Sequence, residues 1–181
     1  MAQILVLLCF FNLYLYADFN VESLIELKYK DVTKQTFEES CGASSLSTLF
    51  NLYGIQLSEK ILLEQLKTTN VVNFLDLQKI AYKNSFHAKG YKINKNVFEK
   101  IKVPVIARII RKMGYPHFVV VQNFSKKSVL VLDPNAGKFI VSKEYFYSLW
   151  IEKDSNYILL VLPKDKNIKL KKINSFKEKY L

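Results

Sequence analysis

The chain is poor in cysteine, histidine, glycine and proline: its 181 residues include two cysteines, two histidines, five glycines and four prolines. The few Cys and His residues form no cluster with zinc-ligand spacing, and the sequence has no Gly-rich phosphate-binding loop, so we expect no metal and no cofactor. No segment is of low complexity, and no internal repeat occurs. Half of the residues are hydrophobic, which is typical of one compact domain with its own core.

The C-terminal segment from Lys164 to Leu181 is strongly basic, with seven lysines against Asp165 and Glu178, in a chain whose formal net charge is +11. We interpret residues 164–181 as a basic tail, because charge runs are usually solvated or belong to a frayed helix. Contact with an anionic membrane surface or an acidic partner is the alternative. Nucleic acid is not an expected partner, since no helix-turn-helix, zinc-finger or RNA-recognition pattern accompanies the charge.

The first apolar run, from Ile4 to Tyr16, contains no charged residue. Its length of about thirteen residues falls short of the ~20 that a membrane-spanning helix needs, and it matches the apolar core of a secretory signal. The sequence therefore predicts that residues 1–17 are a signal peptide, cut after Ala17, or an uncleaved N-terminal anchor. A buried core helix is the alternative. We expect an exported protein that is periplasmic or associated with the cell envelope.

Removal of that leader would leave Cys41 as the only cysteine, so no intramolecular disulfide would form. A lone thiol is a liability in an exported protein unless it has a chemical role. This observation makes Cys41 a candidate nucleophile. The alternative is that Cys41 is a small buried apolar residue, as most single cysteines are.

The periodicity of apolar residues predicts helices in the first half of the chain and strands in the second. After a polar approach at 18–39, helices are expected at 43–53, from Ser58 to Lys67, after Asn73 and after Asn94. Apolar and β-branched runs predict strands at 103–110, 117–124, 129–133, 138–141 and 156–162, with a helix from Ser142 to Trp150. Helices followed by an antiparallel meander indicate one α+β domain over residues 18–163.

Cys41 lies at the N-terminus of the helix predicted at 43–53, where free N–H groups and the helix dipole favour a thiolate. Its base must be an imidazole, and the chain has only His87 and His117. His117 opens a strand, whereas His87 follows a helix in a polar loop and is interpreted as structural. Asp133 ends the next strand, and in a hairpin the start of one strand lies beside the end of the next. We therefore predict a triad in which Asp133 orients the imidazole of His117 beside Cys41.

Two neighbours of the cysteine are further candidates. Gln35, six residues before Cys41, is a candidate side-chain donor for an oxyanion hole, together with the backbone N–H of Cys41. Gly42 is expected to let the backbone come close to a substrate carbonyl, which makes it the candidate substrate-binding residue. Both roles are inferred from the position of these residues near Cys41, because neither a single glutamine nor a single glycine indicates a function alone.

Four segments together resemble cysteine peptidase family 39, the bacteriocin-processing peptidases of double-glycine leaders. The run from Gln35 to Ala43 (QTFEESCGA) resembles the family's start, in which a glutamine lies six residues before Cys-Gly-Ala. The runs PHFVVV at 116–121 and VLDP at 131–134 look like its histidine and aspartate motifs. The run SKEYFYSLW at 142–150 is similar to the helix that follows them. The resemblance covers residues 31–162.

This resemblance implies a papain-like fold and hydrolysis of a peptide bond. It assigns Cys41 as nucleophile, His117 as general acid/base, Asp133 as orienting residue and Gln35 as oxyanion donor. A Cys–His pair implies a thioester acyl-enzyme intermediate. The expected partner is a peptide or protein substrate, including a leader peptide. Many family members are domains of ATP-driven exporters, whereas this chain is expected to act on its own.

Two alternatives remain open from the sequence. One is a non-catalytic module that binds a peptide or leader for a secretion system with the same fold. The other keeps the triad but transfers or removes an amide group, because fold analogy does not separate these chemistries. The sequence indicates no oligomeric state.

Overall fold

The structure is a computed structural model that describes residues 22–67, 72–110, 116–150, 152 and 156–173. The signal peptide or anchor predicted at residues 1–17 lies outside these described residues. Within the described ranges, no helix has the length and apolar character that crossing a membrane requires.

The first helix of the described residues lies in the segment that the sequence analysis left as a polar approach. Helix α1 is Leu24–Tyr29, and Ser23 and Glu26 form a reciprocal capping box at its start. The Ser-x-x-Glu spacing is the sequence signal for such a helix. None of its residues is buried, so no apolar periodicity marks it.

Three longer helices follow, close to their predicted positions. Helix α2 is Cys41–Leu52 and comes directly after a 3-10 turn, Glu38–Ser40; helix α3 is Glu59–Leu66 and helix α4 is Phe74–Lys83. Ser58 and Asn73 cap α3 and α4 as the sequence predicts. Helix α2 starts two residues earlier than expected, so Cys41 is its first residue.

The second half of the domain is mainly β-structure. Its elements in chain order are β1 Phe86–Ile93, α5 Lys95–Phe98, β2 Val105–Ile110, β3 Pro116–Asn123, β4 Ser128–Asp133, β5 Gly137–Ser142, α6 Lys143–Trp150 and β6 Asn156–Pro163. They form one antiparallel sheet with strand order β1-β6-β2-β3-β4-β5. The predicted meander is β2 to β5, and β6 returns to lie between β1 and β2.

Strand β1 was not expected, because the sequence analysis assigned the surroundings of His87 to a polar loop. The strand pairs with β6 along its whole length, from Phe86 opposite Pro163 to Ile93 opposite Asn156. Only Phe86 and Ala88 of this edge strand are buried, so its alternation is too short to predict. The ring of His87 is exposed and meets the Tyr82 ring edge-on, with centroids 6.4 Å apart.

The sheet separates two hydrophobic cores, because neighbouring residues of a strand point to opposite faces. In β3, Phe118 and Val120 pack with helices α2 and α4, whereas Val119 and Val121 pack with α6. The second core contains a cluster of aromatic rings around Trp150, whose ring stacks on Phe146 with centroids 5.4 Å apart. Helix α2 is therefore fixed against one face and helix α6 against the other.

The first part of the basic segment packs on the domain, which differs from the solvated tail or frayed helix expected beyond residue 163. Ile168, Leu170 and Ile173 pack against the first core, and the Lys171 N–H donates to the Leu52 carbonyl at 2.7 Å. The apolar residues spaced between the lysines are the physical reason, since they are partly buried against the core while the lysine side chains stay exposed. The packed chain thus continues to residue 173, and residues 174–181 lie outside the described part.

Candidate active site

His117 and Asp133 meet at one end of the β3–β4 hairpin. Val120 lies opposite Leu132, so the register places Asp133 opposite Val119. His117 is two residues before Val119 in the same strand, and its side chain therefore lies on the same face of the sheet. Side chains in this diagonal relation are within reach of each other. The Nε2 atom of His117 lies 2.9 Å from Oδ1 of Asp133, and both side chains are buried. Hairpin geometry thus brings together the two residues that the sequence analysis paired.

The carboxylate of Asp133 is held by the turn that follows it. Its Oδ1 also accepts hydrogen bonds from the backbone N–H groups of Asn135, at 2.8 Å, and Ala136, at 3.1 Å. Burial would raise the pKa of Asp133, but the hydrogen bond and charge of His117 and the two N–H donors lower it to about 2. Asp133 is therefore ionised at neutral pH and fixed in orientation.

Cys41 is the first residue of helix α2, and it approaches the His117 side of this pair. Helix α2 is tied to β3 beside the histidine, because the Ser45 hydroxyl donates to the Phe118 carbonyl at 3.0 Å. Burial would lower the pKa of His117, yet hydrogen bonds and charges from Asp133 and Cys41 raise it above the ordinary value. Since Nε2 faces Asp133, Nδ1 is the ring nitrogen left for the thiol. The structure thus pairs His117 with Asp133 and places Cys41 near enough to influence the pKa of His117, and the catalytic roles of the three residues stay a prediction.

Gln35 links the segment before Cys41 to the aspartate turn. Its backbone N–H donates to the Pro134 carbonyl at 3.0 Å. Its side-chain Nε2 donates to the carbonyls of Phe37 at 3.0 Å and Glu38 at 3.2 Å, so both amide hydrogens are engaged. Its Oε1 is buried without a hydrogen-bond partner among the described residues. To donate to an oxyanion, the Gln35 amide would have to give up its hydrogen bond to one of these two carbonyls. This role therefore stays a prediction.

Gly42 has a different explanation from the one the sequence suggested. It is the second residue of α2 and is buried against the core. A Cβ atom at this position would lie 2.4 Å from Cγ2 of Val72 and 3.3 Å from a ring carbon of Phe118. The missing side chain thus lets the helix pack closely against the domain interior rather than opening space for a substrate. Its proposed contact with substrate remains a prediction.

We expect Gly42→Ala to destabilise the fold by about 1–3 kcal/mol, the usual cost of overpacking a tight core site. Val72 or helix α2 would have to move, and Cys41 is the residue directly before Gly42 in that helix. Urea unfolding measures the change. Ala43→Gly is the control, because it alters the helix at a neighbouring position without adding an atom. A Gly42→Ala variant as stable as the unmodified chain would contradict the packing explanation.

The chain from Lys28 to Gln35 wraps the aspartate turn, which the sequence did not predict. The Tyr29 hydroxyl donates to the Asn135 carbonyl at 2.6 Å. Gly137 has φ +84°, and a Cβ there would lie 2.4 Å from the Lys28 carbonyl oxygen, so only glycine fits. The end of α1 and the segment that follows it therefore help to fix the loop that carries Asp133.

An apolar cleft of about 590 Å³ lies beside the triad, between the sheet and helix α6. Gln35, His117 and Asp133 line one end of it. The remaining walls are largely apolar side chains of the sheet and α6, among them Val119, Val131, Phe139, Val141 and Leu149. Such a cleft has the size and character of a ligand pocket that is polar only at its reactive end.

A sequence model of the Peptidase C39 family matches residues 29–166. The probable functional amyloid protease FapD of Pseudomonas fluorescens is 29% identical over 139 residues, which are 72% of this chain and 61% of that protein. The lactococcin transport/processing ATP-binding protein LcnC-like of Lactococcus lactis subsp. lactis is 30% identical over 131 residues, which are 70% of this chain and 18% of that protein. The chain thus matches less than two thirds of each relative.

Two solved structures share the fold. The peptidase domain of Streptococcus ComA superposes with a TM-score of 0.65 at 23% identity, covering 73% of this chain and 97% of that domain. A double glycine motif protease from an AMS/PCAT transporter, solved with its leader peptide, gives 0.63 at 24% identity, with 73% and 90% covered. These likenesses confirm the predicted papain-like α+β fold. The family match likewise confirms the resemblance seen in the four sequence motifs, and the chain belongs to the Peptidase C39 family.

Proposed function

We propose that this chain is a cysteine peptidase in which Cys41 is the nucleophile, His117 the general acid/base and Asp133 the residue that orients the imidazole. The observation that carries the proposal is the buried His117–Asp133 hydrogen bond, Nε2 to Oδ1 at 2.9 Å, next to Cys41, whose thiol helps to raise the pKa of His117. His117 and Asp133 also line an apolar cleft large enough for a peptide segment. Nucleophile, base and orienting group in this order are the requirement for thiol-based acyl transfer.

The reaction proceeds through a thioester. The Cys41 sulfur attacks the carbonyl carbon of the scissile bond, after its proton has moved to Nδ1 of His117. The carbon–nitrogen bond then breaks, and the imidazolium gives that proton to the departing amine. Water, activated by the now neutral His117, adds to the thioester and releases the acid product and the free thiol. Asp133 stabilises the imidazolium at the steps where it is charged.

The oxyanion of each tetrahedral intermediate needs two donors. The Cys41 backbone N–H is in the first turn of α2, where no intrahelical acceptor is available to it. Gln35 is the second donor if one of its amide hydrogens leaves the Phe37 or Glu38 carbonyl when substrate binds. Catalytic hydrogen bonds commonly form only in the substrate complex, so the engaged amide is compatible with this role.

We propose a leader peptide with a double-glycine cleavage site as the substrate class. Relatives named as transport/processing proteins and a double glycine motif protease solved with its leader peptide support this choice. The apolar cleft beside the triad suits apolar side chains of a peptide upstream of the cut. The predicted signal or anchor at residues 1–17 supports a site of action at the cell envelope, where the chain would work on its own.

The test is cleavage of a synthetic leader-like peptide containing a Gly-Gly pair, followed by mass spectrometry. Two fragments divided after Gly-Gly, and none with Cys41→Ala, are the expected result. A matched peptide with Ala-Ala at the same position tests the double-glycine preference. Failure to cut either peptide, with the Gly-Gly peptide nevertheless bound, would favour the second candidate function.

That second candidate is a peptide- or leader-binding module that does not cut. One observation favours it: both amide hydrogens of Gln35 are engaged by backbone carbonyls. A site fixed in this state would hold a peptide carbonyl without stabilising an oxyanion on it, and removal of a single oxyanion donor lowers turnover by about 10²–10³-fold. Binding measured by fluorescence anisotropy, set beside the cleavage assay, distinguishes the two functions.

A further inference from the structure

We infer that Glu59 is a positioning residue for the proposed peptidase reaction, holding the oxyanion loop and the start of the nucleophile helix in place. The inference rests on the proposed function, because it names what fixes Gln35 and Cys41 in that site. Glu59 is the first residue of α3 and lies far from Cys41 in sequence. No sequence pattern connects it to the triad.

The Glu59 carboxylate accepts hydrogen bonds from both sides of the cysteine. The backbone N–H of Thr36 donates to its two oxygens at 2.9 and 3.1 Å, and the Thr36 hydroxyl donates at 2.5 Å. The Ser44 hydroxyl donates to Oε1 at 2.9 Å. Thr36 follows Gln35 directly, and Ser44 is one turn into the helix that Cys41 begins. One carboxylate thus joins the loop of the oxyanion donor to the helix of the nucleophile.

The charge of Glu59 is buried without an ion-pair partner. The residue is 6% exposed, and among the described residues no lysine, arginine or histidine forms a salt bridge with it. Burial would raise the pKa of Glu59, yet the hydrogen bonds from Thr36 and Ser44 hold it below the usual value. A buried carboxylate is costly unless its hydrogen bonds are satisfied, so this cluster of donors is what keeps it ionised inside the domain.

The chemistry of the cluster calls for an acceptor with two equivalent oxygens. Two hydroxyl groups and one backbone N–H all donate to Glu59. An ionised carboxylate only accepts, whereas a glutamine amide offers one oxygen and an NH₂ group that would face other donors. Glu59→Gln therefore keeps the size of the side chain but releases at least one link to the loop or the helix.

A simpler role for Glu59 is to stabilise α3, because acidic residues in the first turn favour the helix dipole. Ser58→Ala separates the two roles. Ser58 is the N-cap of the same helix, and its hydroxyl accepts from the Ile61 N–H at 3.4 Å. Its removal weakens α3 while leaving every hydrogen bond to the Glu59 carboxylate intact.

The experiment compares the full chain with Glu59→Gln and Ser58→Ala. Turnover is followed on a fluorogenic Gly-Gly peptide amide, and Cys41 alkylation by iodoacetamide is followed against pH. We expect Glu59→Gln to lower kcat by about 10- to 10²-fold, as small displacements of catalytic groups do, with KM changed little. Its alkylation profile should match that of the unmodified chain, since Cys41 and His117 stay paired. Ser58→Ala should keep kcat.

Thr36→Val supplies a second test that does not depend on how Glu59→Gln folds. Thr36 is exposed, so the fold tolerates the change, and only the hydroxyl link to Glu59 is removed. We expect a smaller kcat loss with the same unchanged alkylation profile. A kcat of Glu59→Gln or Thr36→Val within about two-fold of the unmodified chain, or an equal loss in Ser58→Ala, overturns the inference. An unmodified chain that neither alkylates readily nor turns over overturns the proposed function itself.

Discussion

His117→Ala is expected to lower peptide cleavage by about 10⁴-fold without unfolding the domain. The imidazole has two tasks in the proposed reaction, since it removes the thiol proton and later protonates the leaving amine, and loss of such a group typically costs about 10²–10⁴-fold. The side chain is buried, with one ring nitrogen on Asp133 and the other free for Cys41. No other histidine can replace it, because His87 lies in edge strand β1 against Tyr82.

The same substitution should also change the reactivity of Cys41 towards iodoacetamide. An ordinary thiol reacts slowly at pH 6, because its reference pKa is about 8.5. A thiolate paired with the His117 imidazolium would react readily there, and the raised pKa of His117 is consistent with a stabilised imidazolium. We expect alkylation at pH 6 to fall by about 10²-fold in His117→Ala, because the thiol then lacks the imidazolium that would pair with its anion.

His87→Ala is the matched control for both measurements, since it removes the only other imidazole and leaves the triad intact. It should retain cleavage and the alkylation profile of the unmodified chain. If His117→Ala cleaved at a rate within tenfold of His87→Ala, the general acid/base assignment would be wrong. If only the alkylation profile were unchanged, Cys41 would be activated by the N-terminus of α2 rather than by an ion pair.

The pairing of His117 with Asp133, and the place of Cys41 at a helix start, could be predicted from sequence because each of these residues is tied to a local signal. Cys41 begins helix α2, His117 is the second residue of β3 and Asp133 is the last residue of β4. In a hairpin, the start of one strand lies beside the end of the next, so His117 and Asp133 become neighbours. The structure places Nε2 of His117 2.9 Å from Oδ1 of Asp133. The fold class could be predicted for the same reason. Cap and turn residues act over only a few positions, so they mark where helices and strands begin and end, and the helices come before most of the strands.

Features that depend on long-range contacts escaped prediction. The inward face of β1 offers only Phe86 and Ala88, and its partner β6 is about seventy residues away. Gly42 was interpreted from its neighbour Cys41. The contact that a side chain at this position would make is with Val72, which is distant in sequence. From the sequence, Glu59 is expected to be an ordinary acidic residue in the first turn of a helix. Its inward orientation is visible only once α2 and α3 are packed.

Asp133 should affect both turnover and the pH dependence of stability. We expect Asp133→Ala to lower cleavage by about 10³-fold, because the imidazole loses its orienting partner and the stabilisation of its cation. Asp133→Asn should lose less. The N–H groups of Asn135 and Ala136 both donate to Oδ1, so they would hold the amide oxygen in the same place, where it still accepts from Nε2–H of His117. The three hydrogen bonds to this oxygen are then kept, while the negative charge is lost.

The stability effect follows from the lowered pKa of Asp133, about 2 against an ordinary 3.8. A carboxyl group whose pKa is depressed in the folded state stabilises the fold above its unfolded pKa, and this contribution is lost as the pH falls through the folded value. The difference corresponds to about 2 kcal/mol. The unmodified chain should therefore lose about 2 kcal/mol more of its free energy of unfolding between pH 5 and pH 2 than Asp133→Asn does. Urea unfolding at several pH values measures both chains, and parallel curves across that range would show that Asp133 is not held as a buried, hydrogen-bonded anion.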